Sequence, residues 1–216
     1  MSTGRLVVGI TGASGAIYAQ RFLRVAVRHY REVYLTMSEQ AFQVAETELG
    51  VSIGRSPFDP GEWLGETPPG LRLLDSKDYF TPPASGSFRH DGMVIVPCSM
   101  GTAGRIANGV SDDLLTRSAD VCLKEGRPLV VVPREMPMNV VMLRNLTSLA
   151  EAGARVLPAS PAWYSRPRTL EDLADTVVAR ILQSLGIEQR LVPEWGADDP
   201  KGGTEVAPKS TMAPKP

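Results

Sequence analysis

Histidine and cysteine are both scarce in this 216-residue sequence, which contains two of each. Cys98 and Cys122 are too few for a disulfide framework, and their number is typical of a reducing compartment such as the cytoplasm. No Cys/His set has the spacing of a zinc site. A histidine-centred triad would have to use His29 or His90, and nothing near either residue supports one. We therefore expect a cytoplasmic protein without a metal site.

Net charge and long apolar runs are also missing. The 23 Lys and Arg residues and the 24 Asp and Glu residues give a formal net charge of −1, so electrostatics favours neither a nucleic-acid nor a membrane partner. No apolar run approaches the roughly 18 residues that span a bilayer. The first residues also lack the charged and apolar segments of a signal peptide.

Short apolar runs alternate with segments of helical periodicity along most of the chain. The predicted strands are residues 6–10, 33–37, 71–74, 93–96, 129–132 and 155–157. The predicted helices are residues 16–28, 39–49, 102–110, 112–125, 139–152 and 169–185. Continuous apolar strands that alternate with helices are typical of a parallel sheet covered on both faces. The sequence therefore predicts an α/β fold with three layers and a mostly parallel sheet.

The length of the chain favours one domain over two. Residues 50–90 are rich in Gly and Pro and predict a long irregular segment around the short strand 71–74. Residues 197–216 are polar, carry no periodicity and predict a disordered tail. We expect a single domain over residues 1–196, followed by that tail.

Small residues follow the first predicted strand, where ligands of parallel sheets bind. The segment 9–15 has the spacing G-x-x-G-x-x-G, which is neither the dinucleotide fingerprint nor a P-loop. Ser38, rather than a carboxylate, ends the second strand, and this favours a nucleotide other than NAD. The simpler alternative is a tight strand-to-helix turn without a ligand.

A second turn of small and hydroxyl-bearing residues, Cys98–Thr102, follows the strand 93–96. Its backbone amides could bind a phosphate or a polar ring, although such residues are often only helix caps. Two such turns at one sheet edge indicate a ligand more strongly than either alone. Cys98 is expected to be a buried core residue rather than a nucleophile, because no histidine accompanies it.

Four basic residues are candidates for a phosphate-binding pocket. They are Arg117, Lys124, Arg134 and Arg180. Spacing alone favours a plainer alternative, in which Asp113–Arg117 and Asp120–Lys124 are surface ion pairs four residues apart on one helix.

Two carboxylates and several aromatic residues are further candidates. Glu135 directly follows a buried strand and predicts either an acid/base group or a loop salt bridge. Glu48 ends a helix, where a carboxylate is mildly unfavourable. Tyr164 lies in a Pro-flanked loop, where an aromatic ring either covers a ligand or fills the core. Trp195 could cover a ligand or anchor the tail.

Six segments occur in an order that resembles the UbiX-type flavin prenyltransferases. They are Gly12–Ala16, Pro97–Ser99, Leu115–Asp120, Lys124–Leu129, Pro133–Pro137 and Trp163–Pro167. The resemblance covers about residues 5–196 and implies a flavodoxin-like or Rossmann-like sheet that binds FMN. It implies metal-independent transfer of a dimethylallyl group from dimethylallyl phosphate to N5 and C6 of reduced FMN. The prenylated FMN would serve a UbiD-type decarboxylase, and the enzyme would be a homo-oligomer, a dodecamer.

The resemblance also assigns roles to residues of this sequence. The implied FMN contacts are Gly12, Ala13, Ser14, Ser38, Ser99, Met100, Gly101, Thr102 and Arg134. The implied contacts of dimethylallyl phosphate are Arg117, Lys124, Arg134, Glu135, Tyr164, Arg180 and Trp195. Catalytic roles fall to Ser14, Glu48 and Glu135. Glu48 and Trp195 match residues that neighbouring subunits bring to the site.

Two other functions fit an FMN-binding sheet. An FMN-dependent decarboxylase of the related cysteine-decarboxylase family would need a catalytic histidine in the region of the first helix. His29 lies at the end of that predicted helix, away from the loops, so this alternative is less favoured. A non-catalytic FMN-binding protein would bind FMN and leave dimethylallyl phosphate unchanged.

Overall fold

A parallel sheet forms the centre of the computed structural model, which describes residues 4–55 and 57–193. The strands are β1 (Arg5–Ile10), β2 (Glu32–Met37), β3 (Gly54–Arg55), β4 (Phe58–Asp59), β5 (Leu71–Leu74), β6 (Met93–Cys98), β7 (Leu129–Pro133) and β8 (Arg155–Val156). Within the described residues, six of them form one sheet in the order β5-β2-β1-β6-β7-β8, and every pairing in it is parallel. The predicted parallel α/β fold is confirmed.

Helices cover both faces of the sheet. They are α1 (Ala16–His29), α2 (Glu39–Leu49), α3 (Gly61–Leu64), α4 (Met100–Ala107), α5 (Leu114–Lys124), α6 (Val140–Glu151) and α7 (Leu170–Ser184). Side chains alternate along each strand, so Leu6 and Val8 pack into the core with α1 and α7. Val7 points the other way, into the core beneath α4 and α5. One core lies on each side of the sheet, so the sheet and the two helix layers make the three predicted layers.

Side-chain caps fix where the helices begin. The hydroxyl of Ser38 accepts a hydrogen bond from the amide of Ala41, as predicted for the start of α2. Ser99 caps α4 in the same way, so this helix begins earlier than the apolar periodicity indicates. Both serines directly follow a strand, and both helices therefore begin at the carboxyl edge of the sheet.

The segment 50–90 contains more structure than its composition predicts. The predicted strand β5 is confirmed, but a β3–β4 hairpin and helix α3 precede it. Trp63 in α3 is 1% exposed and packs into the α1 core. A four-residue helix is too short to show periodicity, which is why the sequence pattern does not reveal it.

The proline expected to end β6 lies inside that strand, whereas β7 ends at Pro133 as expected. The β6–β7 pairing shifts its register between Ile95 and Cys98, because Pro97 has no amide hydrogen to donate to the ladder. The Val96–Pro97 peptide bond is cis.

Two predictions remain outside this description. The tail 197–216 lies beyond the described residues, so the division of the chain at residue 196 remains a prediction.

Within residues 4–55 and 57–193, no helix combines the length and apolar character needed to cross a bilayer.

Substitution of Leu23 by alanine tests the α1 core. Leu23 has no exposed surface, so Leu23→Ala leaves a cavity and is expected to lower the free energy of unfolding by about 3 kcal/mol. Leu170 is 74% exposed, and Leu170→Ala, the matched control, should change it by less than about 0.5 kcal/mol. Urea unfolding at one protein concentration measures both. Equal losses would contradict this packing.

Candidate active site

The loops after β1, β2 and β6 meet at the carboxyl edge of the sheet and line a cavity of about 340 Å³. Its lining residues are Thr11, Gly12, Ser38, Gln40, Ser99, Gly101, Thr102 and Arg105. An adjoining cavity of about 250 Å³ shares Thr11, Ser38, Gln40, Thr102 and Arg105 with it, so the two form one groove. Five of the residues predicted to contact the flavin come together here: Gly12, Ser38, Ser99, Gly101 and Thr102.

Hydrogen bonds hold the three loops in register. The hydroxyl of Thr11 donates to the carbonyl of Pro97 over 3.0 Å and accepts from the amide of Ser99 over 2.7 Å. The amide of Ser38 donates to the carbonyl of Ile10 over 3.0 Å. The loop after β1 is therefore fixed to both neighbouring loops, and these contacts shape the groove.

The two glycines of the groove have different surroundings. A Cβ atom added to Gly12 would lie 2.4 Å from the Cβ of Gln40, whereas one added to Gly101 would meet nothing within 4 Å. The loop after β1 can approach α2 this closely only because residue 12 is glycine. Gly101 leaves open space at the beginning of α4, where a ligand can reach the first backbone amides of that helix.

Two predicted flavin contacts have buried side chains. Ala13 is 7% exposed and Met100 is 5% exposed, and Met100 belongs to the core beneath α4. Either residue can contact a ligand in the groove only through its backbone.

Ser14, Glu48 and Arg134 form a cluster at the beginning of α1. The Nε–H of Arg134 donates to the carbonyl of Ser14 over 3.1 Å. The carboxylate of Glu48 accepts from the amides of Gly15 and Ala16 over 2.9 and 2.8 Å. Glu48 therefore caps α1, and this favourable position offsets the cost of a carboxylate at the end of α2.

The same contacts determine the charge of Glu48. Burial acts to raise the pKa of Glu48, but the hydrogen bonds from the Ser14 side chain and the two amides, with the charge of Arg134, outweigh it and hold this pKa below its ordinary 4.5. The resemblance implies that Glu48 reaches the site from a neighbouring subunit. Within one chain, the Glu48 carboxylate contacts the loop after β1, and its role in a neighbouring subunit stays a prediction.

A second cavity, of about 280 Å³, contains Tyr164 and Arg180. Two hydrogen bonds attach the loop that carries Tyr164. The amide of Ala159 donates to the carbonyl of Pro133 over 2.9 Å, and the amide of Ala162 donates to the hydroxyl of Thr176 over 3.0 Å. Pro133 directly precedes Arg134. Arg134 therefore lies between the loop after β1 and the loop that carries Tyr164.

Glu135 is half-buried beside Arg134. Its carboxylate accepts a hydrogen bond from the amide of Met136 over 3.0 Å, rather than pairing with a cation of the described residues. The structure therefore does not show the loop salt bridge predicted for Glu135, and the acid/base role stays a prediction.

The ion pairs predicted along α5 are wrong. Asp113 caps α5 through the amide of Thr116 and binds Arg105. Arg117 pairs with Asp120, over 2.8 Å. The reason is that the helix begins at Leu114, so Asp113 lies outside it and is directed at α4.

Lys124 lies far from the groove within one chain. It ends α5, pairs with Glu125 over 2.7 Å, and stands just before β7 begins at the amino edge of the sheet. Arg117, two turns earlier, donates to the carbonyl of Ala84. The predicted pocket of four cations is therefore not assembled by one chain, because α5 returns the chain to the edge opposite the groove.

Comparison with known proteins identifies the family. A family model described as "Flavoprotein" matches residues 1–182. Flavin prenyltransferase UbiX of Alkalihalophilus pseudofirmus is 44% identical over 191 residues, which cover 88% of this chain and 96% of that protein. The chain belongs to the UbiX flavin prenyltransferase family.

Two solved structures are similar to this chain over most of its length. AnUbiX (PadA1), in complex with FMN and dimethylallyl pyrophosphate, has a TM-score of 0.79 and 37% identity, and the match covers 88% of this chain and 96% of that chain. A dodecameric FMN-dependent UbiX-like decarboxylase from Escherichia coli O157:H7 has a TM-score of 0.78 and 37% identity, with 88% and 98% covered.

The structure also bears on predictions for single residues of this family member. Burial raises the pKa of the Cys98 thiol to about 12, as expected of a core residue and not of a nucleophile. His29 is the last residue of α1, at the end opposite the groove. Trp195 lies outside the described residues. Within those residues, no group of three or more His, Cys, Asp or Glu side chains is placed to hold a metal ion.

Sequence reasoning did not select three residues of the site. They are Gln40, Arg105 and Thr176. Arg105 could have been found, since it follows Thr102 by three residues and lies on the same face of α4. Thr176 gives no signal, because the loop that it holds is distant in sequence.

The two groove glycines provide a matched pair of variants. Gly12→Ala is expected to lower the free energy of unfolding by about 1 to 3 kcal/mol, because the added methyl group meets Gln40. Gly101→Ala should leave it unchanged or raise it by up to about 1 kcal/mol, since alanine is the better helix former in open space. Urea unfolding of both variants gives the sign. A loss at Gly101 that matches the loss at Gly12 would contradict the described groove.

Glu48→Gln tests the carboxylate cap through its pH dependence. A lowered folded-state pKa means that the ionised form stabilises the fold above pH 4.5, and that this contribution is lost as the pH falls through the folded-state pKa. The wild type should therefore be more stable than the variant at pH 7, and the difference should shrink below pH 4.5. Urea midpoints at a fixed protein concentration measure it. A difference independent of pH would show that packing, and not charge, is responsible.

Proposed function

We propose that this protein is a flavin prenyltransferase that transfers a dimethylallyl group from dimethylallyl phosphate to reduced FMN. The observation that carries the proposal is the position of Arg134. Its side chain donates to Ser14 in the loop after β1, and its neighbour Pro133 accepts from Ala159 in the loop that leads to Tyr164. A reaction between a flavin and a prenyl phosphate needs a flavin site and a donor site side by side. The 44% identity to a UbiX flavin prenyltransferase supports the same activity.

The groove suits FMN in shape and chemistry. It presents the first turns of α2 and α4, whose free amides and positive dipole ends favour a phosphate. Gly12 and Gly101 keep it free of side chains. Gly12, Ser38, Ser99, Thr102 and the backbone of Gly101 would hold the cofactor, together with Ala13, Ser14, Met100 and Arg134. Bound reduced FMN supplies the nucleophilic atoms N5 and C6.

The chain's own cations and hydroxyls act on the phosphate of the donor. The C–O bond would break as the dimethylallyl group bonds to N5, and the departing phosphate would keep the bonding electron pair while N5 loses its proton. A second bond, from C6 to the tertiary carbon of the double bond, would complete prenylated FMN as a proton adds to the other alkene carbon and one leaves C6. Arg134, Tyr164 and Arg180 would stabilise the negative charge that develops on the departing phosphate. Aromatic rings near the allyl group would stabilise its positive charge, and Trp195 is proposed as one of them.

Three residues are proposed to position or move protons. Glu48 accepts hydrogen bonds from the amides of Gly15 and Ala16 and so positions the loop that carries Ser14. Glu135 lies next to Arg134 and can exchange a proton with the phosphate or the flavin. The reaction is proposed to need no metal, because the cations of the site provide the charge that magnesium supplies in other prenyl transfers.

The site is complete only in an oligomer. Lys124 lies at the opposite edge of its own chain, so it would reach the donor phosphate from another copy, and Arg117 of the same helix is proposed to come with it. Helix α6 exposes Val140, Val141 and Leu143, at 59%, 59% and 50%, an apolar face that a second copy would cover. The E. coli relative is dodecameric, and we propose a homododecamer here.

The same observations weigh against the alternatives and extend the proposal. A cysteine-type decarboxylase needs a histidine near the groove, whereas His29 is at the far end of α1. A non-catalytic flavin protein would not need the cavity of Tyr164 and Arg180.

The product would pass to a UbiD-type decarboxylase. Two free thiols, Cys98 and Cys122, agree with a cytoplasmic location.

Mass analysis of the flavin tests the activity directly. After anaerobic incubation of the protein with reduced FMN and dimethylallyl phosphate, the bound flavin should be heavier by one prenyl unit, with phosphate released. Glu135→Gln should bind FMN but turn over about 100-fold more slowly. Glu188→Gln, whose side chain is 85% exposed, is the control. Unmodified flavin in the wild type would sink the proposal, and loss of turnover in chelator would contradict metal independence.

Mixed oligomers test the shared site. Arg134→Ala and Lys124→Ala should each abolish most turnover. After the two variants are dissociated and reassembled together, about a quarter of the sites should contain both intact residues if they come from different copies. Turnover of the mixture should then exceed that of either parent. If both residues came from one chain, mixing would restore nothing.

A further inference from the structure

Arg105 occupies a place in the groove that no other cation shares among the described residues. It lines both the cavity of about 340 Å³ and the adjoining cavity of about 250 Å³. Its side chain is 32% exposed, so part of the guanidinium faces the groove. Lys77 lines only the adjoining cavity.

The guanidinium is held at a fixed position by α4 and the cap of α5. Its Nη1 donates to Asp112 and Asp113, and its Nη2 donates to the hydroxyl of Thr102 over 3.2 Å. A guanidinium has five N–H groups. Among the described residues these contacts use three of them, which leaves the Nε–H and one Nη2–H for a ligand.

The surroundings of these two donors favour an anion. Thr102 links Arg105 to Ser99, whose hydroxyl donates to the Thr102 hydroxyl over 3.1 Å. Ser99 caps α4, and Arg105 in the last turn of this helix reaches back with its side chain to Thr102 in the first turn, near the positive end. FMN carries its phosphate as its anionic part, and an arginine fork matches phosphate geometry.

We propose that Arg105 binds the phosphate of FMN. This inference rests on the proposed function, since it assigns a partner to the same cofactor. Asp113 is also the cap of α5 and stays in place to orient Arg105. Asp112 is 56% exposed, and its carboxylate competes with the phosphate for the same guanidinium.

The test compares two flavins that differ only in the phosphate. Flavin-free full-length protein is titrated with FMN and with riboflavin, and quenching of flavin fluorescence gives the affinity. Arg105→Ala should weaken FMN binding about 10- to 30-fold and leave riboflavin binding unchanged. Asp112→Asn should act in the opposite direction and tighten FMN binding alone. Lys77→Ala removes the same charge without the contact, so its effect should be less than about threefold.

Each outcome decides a separate point. Equal weakening of both flavins by Arg105→Ala, or no weakening of either, overturns the role of Arg105 and leaves the proposed function standing if the wild type still forms prenylated FMN. A wild type that binds neither flavin overturns both. If Arg105→Ala does not fold, Asp112→Asn decides, because it keeps the guanidinium: unchanged or weaker FMN binding in that variant overturns the inference.

Discussion

Thr11 forms the hydrogen bonds on which the geometry of the site depends. Pro97 has no amide hydrogen, so the sheet loses a regular pairing where β6 ends. The buried hydroxyl of Thr11 bonds to both sides of this break, to the carbonyl of Pro97 and the amide of Ser99. The loops after β1 and β6 are therefore locked together, and the beginnings of α1 and α4 are directed at one groove. The remaining contacts of the site add to this frame.

Arg134 extends the frame to the second cavity. Its amide donates to the carbonyl of Cys98 at the end of β6, and its side chain donates to the carbonyl of Ser14. One residue thereby links β6, β7 and the loop before α1. The salt bridge between Arg21 and Asp175, whose side chains are 23% and 9% exposed, fixes α7 against α1 and with it the position of Arg180. Binding and transfer thus rely on contacts that come from opposite ends of the sequence.

The sequence predicts the parts of this site that follow from local patterns. Apolar runs locate the strands, and the rule that ligands bind at the carboxyl edge of a parallel sheet points to Gly12, Ser38 and Ser99, which line the groove. Long-range geometry was not predictable. The capping of α1 by Glu48, and the choice of Arg105 rather than Arg117 as the partner of Asp113, depend on how helices lie against each other. Likewise, spacing along α5 cannot reveal that Lys124 ends up on the far side of its own subunit.

Helix α6 has a consequence for how the protein exists in a cell. All 12 of its residues are described, and of these Leu149 is buried, while three large aliphatic side chains face outward. An isolated subunit would expose this apolar face to water. In the proposed homododecamer this face would be covered, so assembly would depend on the concentration of sister chains.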